Sequence, residues 1–244
     1  MLLYSLIFIV TTFGLFSDGK STHPFITCKK DSDDFSNCLK KAIQEAWPLL
    51  SKGIPELDFP PLEPLIFEYA TAKLNLTEIS GELVLRNLTA IGLSKILIHD
   101  VKAQLLDDNF NLEIYAELPW MYTESSMKID GSLNAFKMDG EGYFNETATD
   151  IKGTWNISGP IVNNTWIVKH FRIAPSIGTY KIYFDVLTKR YGKEFNDLAV
   201  NLVNQFWPTL FQILLPATAD IYDPWLIDFP NKIFSKIPFS EIFP

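Results

Sequence analysis

The sequence predicts an α+β fold, in which a strongly curved antiparallel β-sheet wraps a long C-terminal α-helix and a short N-terminal helix precedes the sheet. Residues 65–187 alternate apolar and polar side chains in about nine segments, which is typical of antiparallel strands with one dry face. Residues 194–219 repeat apolar side chains at steps of three and four, yet no charge lies between Asp197 and Asp220. A surface helix normally has Lys and Glu on its wet side. We therefore expect the sheet to roll around this helix and enclose it.

An apolar segment begins the chain. Residues 2–16 are almost wholly apolar and too few to span a bilayer comfortably, and Ser17 and Gly19 provide a small-x-small cleavage site. This pattern predicts a secretory signal peptide over residues 1–19 and one domain over residues 20–244. An N-terminal membrane anchor is the alternative.

The charge balance argues against several classes of partner. The chain has 21 Lys and Arg against 29 Asp and Glu, which gives a net charge of −8. An acidic chain without a stripe of Lys and Arg is a poor candidate for binding nucleic acid or an anionic membrane. Amides and prolines in the C-terminal helix argue against a lipid-facing span, so no stable membrane insertion is expected.

Two cysteines and five sequons predict the covalent modifications of the chain, which are a disulfide and glycosylation. Cys28 and Cys38 predict one disulfide in a secreted chain, worth about 3 kcal/mol on the chain-entropy model. The two thiols alone do not make a zinc site, and neither a metal nor another cofactor is expected. The sequons predict a glycoprotein. Their asparagines are Asn75, Asn87, Asn145, Asn156 and Asn163.

The segment before the strands contains a helix and a connector. Residues 33–50 have helical spacing, Ser32 or Asp33 can cap them, and Pro48 is expected to kink or end the helix. Residues 53–64 contain four prolines, so they form an extended connector. Its apolar side chains suggest packing along the body rather than a flexible linker.

Residues that favour turns mark the ends of several predicted strands. Residues 107–109, 163–164 and 176–178 are predicted turns. The dipeptides at 130–131 and 139–140 predict either hairpin turns or, because their glycines share the dry phase, bulges that curl the sheet. Asn75 and Asn156 fall in the wet phase of their strands. Asn87 shares the phase of apolar residues, so it is predicted to lie beyond the end of its strand.

No catalytic constellation is apparent. The sequence lacks a Gly-x-Ser-x-Gly elbow, and His23, His99 and His170 are scattered. A structural or surface role is expected for His99 and His170, and the protein is predicted not to be an enzyme.

Several runs together resemble the insect takeout / juvenile-hormone-binding protein family. They are the cysteine pair, Trp47-Pro48, GIPELDFPPLEP at residues 53–64, Leu118-Pro119-Trp120 with the glycine-bearing strands after it, and IFSKIPFSEIFP at residues 233–244. The resemblance spans essentially the whole mature chain. It implies a secreted carrier whose sheet wraps a helix, as in bacterial-permeability and lipid-transfer proteins. It also implies an internal tunnel that holds one small hydrophobic molecule, such as a juvenile hormone, a fatty acid or another terpenoid.

The chain departs from the family pattern in two places. The second disulfide of juvenile-hormone carriers is missing, which places the chain nearer the takeout branch. The C-terminal helix carries prolines where the family usually shows a longer, more charged helix. This predicts kinks or a break, near Pro208 or between Pro216 and Pro224.

Apolar residues near the helix and on the dry strand faces are the candidate ligand contacts, although each one alone fits a simple core role. The candidates are Trp47, Phe67, Trp120, Ile129, Phe136, Phe144, Phe184, Phe206, Leu210 and Phe211. Tyr122, Tyr180, Asn204 and Gln205 are candidates for the polar end of a ligand. A monomer is expected. The competing hypotheses are an interaction protein with a filled core and a hydrolase.

Overall fold

The computed structural model describes residues 23–75, 79–134 and 136–244, without the side chains of 74, 79, 133 and 217–221. The predicted signal peptide lies outside the described residues. Two short 3-10 turns aside, the elements in chain order are α1 Phe35–Lys52, β1 Leu65–Asn75, β2 Ile79–Ile91, β3 Leu97–Leu106, β4 Asn109–Leu133, β5 Phe136–Val162, β6 Thr165–Trp166, β7 His170–Ser176, β8 Thr179–Phe184, α2 Thr188–Tyr191, α3 Lys193–Leu226, α4 Asp228–Phe234 and α5 Phe239–Ile242.

One long hairpin organises the sheet. β4 and β5 pair in antiparallel register along their whole length, from Asn109 opposite Pro160 to Leu133 opposite Phe136. At one end of the hairpin β2 pairs with β4 and β8 with β5, and β1 lies outside β2. At the other end β3 pairs with β4, and β6 and β7 pair with β5. The described residues thus form an eight-stranded antiparallel sheet that is not closed, and with the two helices they confirm the predicted fold class.

The dry side of the hairpin changes phase at its middle. On β4 the buried residues run through Ile114, Ala116 and Leu118 and then shift to Thr123 and Ser125. The register between the two strands is unbroken there, so β5 shifts with β4. Alternation extended from one end of a strand therefore assigns the wrong face beyond this point.

α1 has the predicted length of 18 residues, but it begins and ends two positions later than predicted. It continues through Pro48 to Lys52 and packs on β3, so the expected end at Pro48 is wrong. Two additional hydrogen bonds, one within the helix and one from the connector, hold the last turn. The buried Ser51 donates its hydroxyl to the carbonyl oxygen of Trp47 at 2.8 Å, and its own carbonyl oxygen accepts from the backbone N–H of Leu62 at 3.1 Å. These bonds offset the one that proline removes.

The connector and the disulfide follow the sequence predictions. The connector packs along the body, since Ile54, Leu57, Phe59 and Leu62 are all buried. Cys28 and Cys38 are bonded, with Cα atoms 5.8 Å apart. The backbone N–H of Cys28 also donates to the carbonyl oxygen of Ile242 at 2.9 Å, which ties the N-terminal arm to the C-terminus.

The predicted turns at residues 107–109, 163–164 and 176–178 separate neighbouring strands. The dipeptides at 130–131 and 139–140 lie inside β4 and β5, so they are not hairpin turns. A Cβ on Gly140 would lie 1.9 Å from the carbonyl oxygen of Val186, so this glycine lets the chain after β8 cross the hairpin. The placement of Asn87 beyond its strand is wrong: it lies within β2, at a register shift, with φ +53°. The register shift turns the side chain of Asn87 outward, so this residue does not follow the apolar and polar alternation of the strand before it.

α3 is a continuous helix of 34 residues, so the predicted break is wrong. Its three prolines, Pro208, Pro216 and Pro224, are all exposed. Water can therefore bond the carbonyl groups that proline leaves without a partner.

The expected enclosure of α3 is also wrong. Leu198, Leu202, Phe206 and Ile213 form an outward stripe and are 46–56% exposed. By length and composition alone, Lys193–Pro216 is apolar enough to cross a membrane. The open sheet covers α3 on one side only, through β7, β8 and the edge of β1.

Candidate functional site

The dry side of the sheet carries two apolar clusters, one at each end of the long hairpin. The first, which we call the packed core, joins α1, the connector, β3, β7, α4 and α5 around the buried rings of Phe110 and Trp166. The second, which we call the α3 cluster, lies between β1, β2, β4, β5, β8 and the C-terminal part of α3. Its buried members are Ala70, Leu85 and Phe144, and its half-buried members are Leu83, Leu88, Met127, Ile182, Phe184 and Trp225.

Strand register aligns the α3 cluster in rows across the sheet. One row runs from Ala70 through Leu85 to Met127. Another joins Ser125, Phe144 and Phe184. Most of these inward side chains keep accessible surface, whereas a filled protein interior leaves few voids. The arrangement is suited to an apolar molecule that completes the packing.

A carboxyl group lies on the same inward face. Glu146 alternates with Phe144 and Ala148 on β5 and pairs with Thr123 on β4 and Ile182 on β8. The hydroxyl of Tyr180 donates a short hydrogen bond to the carboxyl of Glu146, and Thr123 bonds the same group. No Lys, Arg or His in the described part of the chain forms an ion pair with Glu146.

Burial raises the pKa of Glu146, and the hydrogen bonds from Tyr180 and Thr123 oppose that shift only in part. Burial, followed by the neighbouring charge of Glu146, also raises the pKa of Tyr180. The same two causes raise the pKa of Tyr222 on α3. An ionised carboxylate without a cation is costly in such surroundings, so this site favours the neutral acid.

Amide side chains fasten α3 to the free edge of β8. The side chain of Asn204 accepts from the backbone N–H of Ile182 and donates to its carbonyl oxygen, each at 2.8 Å. Asn196 is 1% exposed; it accepts from the N–H of Leu187 at 3.2 Å and donates to the carbonyl oxygen of Phe184 at 2.7 Å. These bonds satisfy edge groups that would otherwise be open. They close the β8 side of the α3 cluster.

The structure brings five of the predicted residues to this region. Phe144 and Phe184 belong to the α3 cluster, and Tyr180 contacts Glu146 and, at 5.8 Å between ring centroids, Trp207. The ring of Phe67 lies 6.0 Å from that of Trp225. Asn204 is near the cluster, but its amide is engaged with the backbone.

Other predicted residues lie elsewhere. Trp47 belongs to the edge of the packed core, where Nε1 donates to the carbonyl oxygen of Leu93 at 2.9 Å. Tyr122 is on the opposite face of the sheet from Glu146 and donates to Glu124 at 2.8 Å. Hydrogen bonds to Tyr143 and Glu124 raise its pKa.

Exposure separates the remaining candidates. Trp120 is 40% exposed because the phase change turns it outward. Phe136, Phe206 and Gln205 are also exposed, although Phe136 stacks on Phe195 with ring centroids 5.5 Å apart. The half-buried candidates are Ile129, Leu210 and Phe211.

Sequence reasoning missed Glu146, Thr123 and Trp225. Glu146 is the middle residue of the sequon at Asn145, which drew attention to its outward neighbour. Alternation along the strand could have identified Glu146, since it lies two residues after Phe144 and therefore faces the same side of the sheet.

An open groove of about 530 Å³ lies at the tip of the hairpin. Its walls are mostly charged, and Arg190 forms an ion pair there with Asp139. Such a lining does not suit an apolar ligand.

Comparison with known proteins adds independent findings. The sequence model of the family described as "Haemolymph juvenile hormone binding protein" matches residues 5–244. The crystal structure of Takeout 1 from Epiphyas postvittana is similar, with a TM-score of 0.65 and 17% identity over 89% of this chain and 98% of that chain. At this identity the likeness shows the fold. Lipopolysaccharide binding protein matches at a TM-score of 0.32 and 13% identity, over 82% of this chain and 38% of that chain. This similarity is too low to show a shared fold. No curated protein sequence matches this chain.

Proposed function

The chain belongs to the haemolymph juvenile hormone binding protein family, and from that premise we propose that it is a secreted carrier of one small hydrophobic molecule. The ligand is a juvenile hormone, a fatty acid or another terpenoid. It lies in an internal tunnel between α3 and the inward face of the sheet. The protein, a glycosylated monomer, transports or buffers the ligand in extracellular fluid.

The half-buried state of the α3 cluster is the observation that carries this proposal. Leu83, Met127, Ile182 and Phe184 face inward but are not fully covered. Covering apolar surface gains roughly 25 cal/mol per Å², before the costs of association. A ligand that packs against several of these side chains is thus held without any charged contact.

The exposure of four sequon asparagines is consistent with a glycosylated extracellular carrier. Asn75, Asn87, Asn156 and Asn163 are exposed. The side chains that clamp α3 to β8 support its assignment to the fold of the protein rather than to a bilayer.

A pair of neighbouring substitutions on β8 tests the binding site. Phe184 faces the α3 cluster, whereas Tyr183 points outward and is 45% exposed. We expect Phe184→Trp to weaken binding of the neutral probe N-phenyl-1-naphthylamine by about tenfold, because the added ring occupies ligand space. Tyr183→Trp should leave the affinity unchanged.

Two outcomes would contradict the proposal. One is equal affinity for the probe in both folded variants, with helical and strand circular dichroism preserved. The other is wild-type protein that binds no probe and yields no co-purified lipid by mass spectrometry from its native fluid. That result would favour the alternative, an interaction protein with a filled core.

A further inference from the structure

We propose that Glu146 and Tyr180 form a recognition site for an uncharged oxygen acceptor, such as an ester or ketone carbonyl, on an otherwise apolar ligand. This inference rests on the proposed carrier function and narrows its ligand class. It sets neutral oxygenated lipids apart from fatty-acid anions and from amines.

Position is the first support. Glu146 faces inward between two buried neighbours, Phe144 at 7% and Ala148 at 4% exposure, yet Glu146 itself keeps accessible surface. Glu146 is therefore not fully covered on the inward side of the sheet, where the half-buried members of the α3 cluster lie. A molecule packed against Ile182 and Phe184 would be next to it.

The hydrogen-bonding groups around Glu146 are the second support for this site. The titratable groups around Glu146 are Tyr180 from β8 and Tyr222 from α3, and β4 contributes the hydroxyl of Thr123. None of these groups is a cation. A neutral carboxyl and the hydroxyls of tyrosine and threonine each have one O–H to donate. The hydroxyls of Tyr180 and Thr123 already bond the carboxyl of Glu146, so the O–H of the neutral carboxyl is the donor left for a ligand atom that accepts a hydrogen bond without charge.

Charge excludes the competing ligand classes. A carboxylate ligand would bring a second acid into a site where the described side chains supply no cation, which is unfavourable in a water-poor environment. An ammonium ligand would pair with an ionised Glu146, and burial, which raises the pKa of this carboxyl, opposes that ionisation. An ester or ketone requires neither change.

The test uses the full chain and four ligands built on a straight chain of about twelve carbons: methyl laurate, laurate, dodecylamine and dodecane. Each is measured by displacement of N-phenyl-1-naphthylamine at neutral pH. Wild-type protein should bind methyl laurate about five- to tenfold tighter than dodecane, as expected for one buried hydrogen bond. Laurate and dodecylamine should bind more weakly than the ester.

Three variants separate recognition from folding. Glu146→Leu should lose the preference for the ester but still bind dodecane. Glu146→Gln keeps an N–H donor, so it should keep the preference. Glu141→Leu, on the outward face of the same strand, should behave as wild type.

pH gives a second readout. Raising the pH should reduce the ester preference of the wild type as Glu146 ionises, and should leave that of Glu146→Gln unchanged. An ester preference that survives in Glu146→Leu would overturn the assignment, as would tightest binding of dodecylamine or laurate. Failure of every ligand, dodecane included, would instead overturn the carrier function itself.

Discussion

The two ends of the β4–β5 hairpin share one pair of strands and one alternating pattern, but they pack differently. At the packed core, Phe110 and Trp166 are 1% exposed and their ring centroids lie 4.8 Å apart. At the α3 cluster, Phe184 on β8 and Trp225 on α3 stay half-buried. The first end is covered by α1, α4, α5 and the connector, and the second by one side of α3. Apolar alternation thus produces a dry face, and the covering elements decide how completely that face is buried.

The largest expected effect comes from truncating an aromatic ring in the packed core. Phe110→Ala should lower the free energy of unfolding by about 3–5 kcal/mol, because the cavity cannot collapse among fixed rings. Phe184→Ala should cost clearly less, since its surroundings are already incomplete. Urea unfolding of both variants measures the difference; equal losses would mean that the two ends are packed alike.

Removal of the disulfide should come next. Replacing Cys28 and Cys38 together by Ser should lower the free energy of unfolding by about 3 kcal/mol, since the open chain gains entropy. The bond lies at the packed core, so affinity for N-phenyl-1-naphthylamine should not change in the folded variant. Weakened probe binding would show that the two ends are coupled.

Loss of the amide clamp should have a smaller effect. Asn204→Leu leaves the N–H and carbonyl of Ile182 unpaired, which costs about 1–3 kcal/mol. Hydrogen exchange at the amide of Ile182 should accelerate. Gln205→Ala, at the exposed neighbouring position, is the matched control and should leave that exchange rate unchanged.

A pH-dependent term distinguishes the α3 cluster from the packed core. The folded-state pKa of Glu146 is raised by burial above its ordinary value of 4.5. Its contribution to stability is therefore complete below that value and is lost as pH rises through the folded pKa, with a slope of at most about 1.4 kcal/mol per pH unit. Glu146→Gln should flatten this part of the profile measured by urea unfolding. An unchanged profile would place the carboxyl in water.

The smallest effect is expected on the outward stripe of α3. Leu202→Lys should change the free energy of unfolding by less than about 0.5 kcal/mol, because the side chain is 46% exposed. Val200→Lys, two positions away and 9% exposed, should destabilise strongly. A severe loss in Leu202→Lys would mean that protein covers this face after all.

The candidate site was only partly predictable. Phe144 and Phe184 follow from alternation, because the two strands that carry them pair without a register shift. Trp120 does not, since the phase of β4 changes just before it. Glu146 had the right phase, but a carboxyl on a dry face is identified only when its hydrogen-bond partners from other strands are known.

The sequence by itself determined the strand class, the turns at residues 107–109 and 163–164, the disulfide and the two main helices, because each depends on nearby residues. Only the tertiary structure decided how much of α3 is covered and whether its prolines interrupt it. Both depend on contacts between distant segments: Asn204 lies 22 positions from Ile182, and the anchors it provides hold the helix to β8. The uncharged stretch between Asp197 and Asp220 suggested enclosure, but the helix is covered on one side only, because an open sheet reaches only that far.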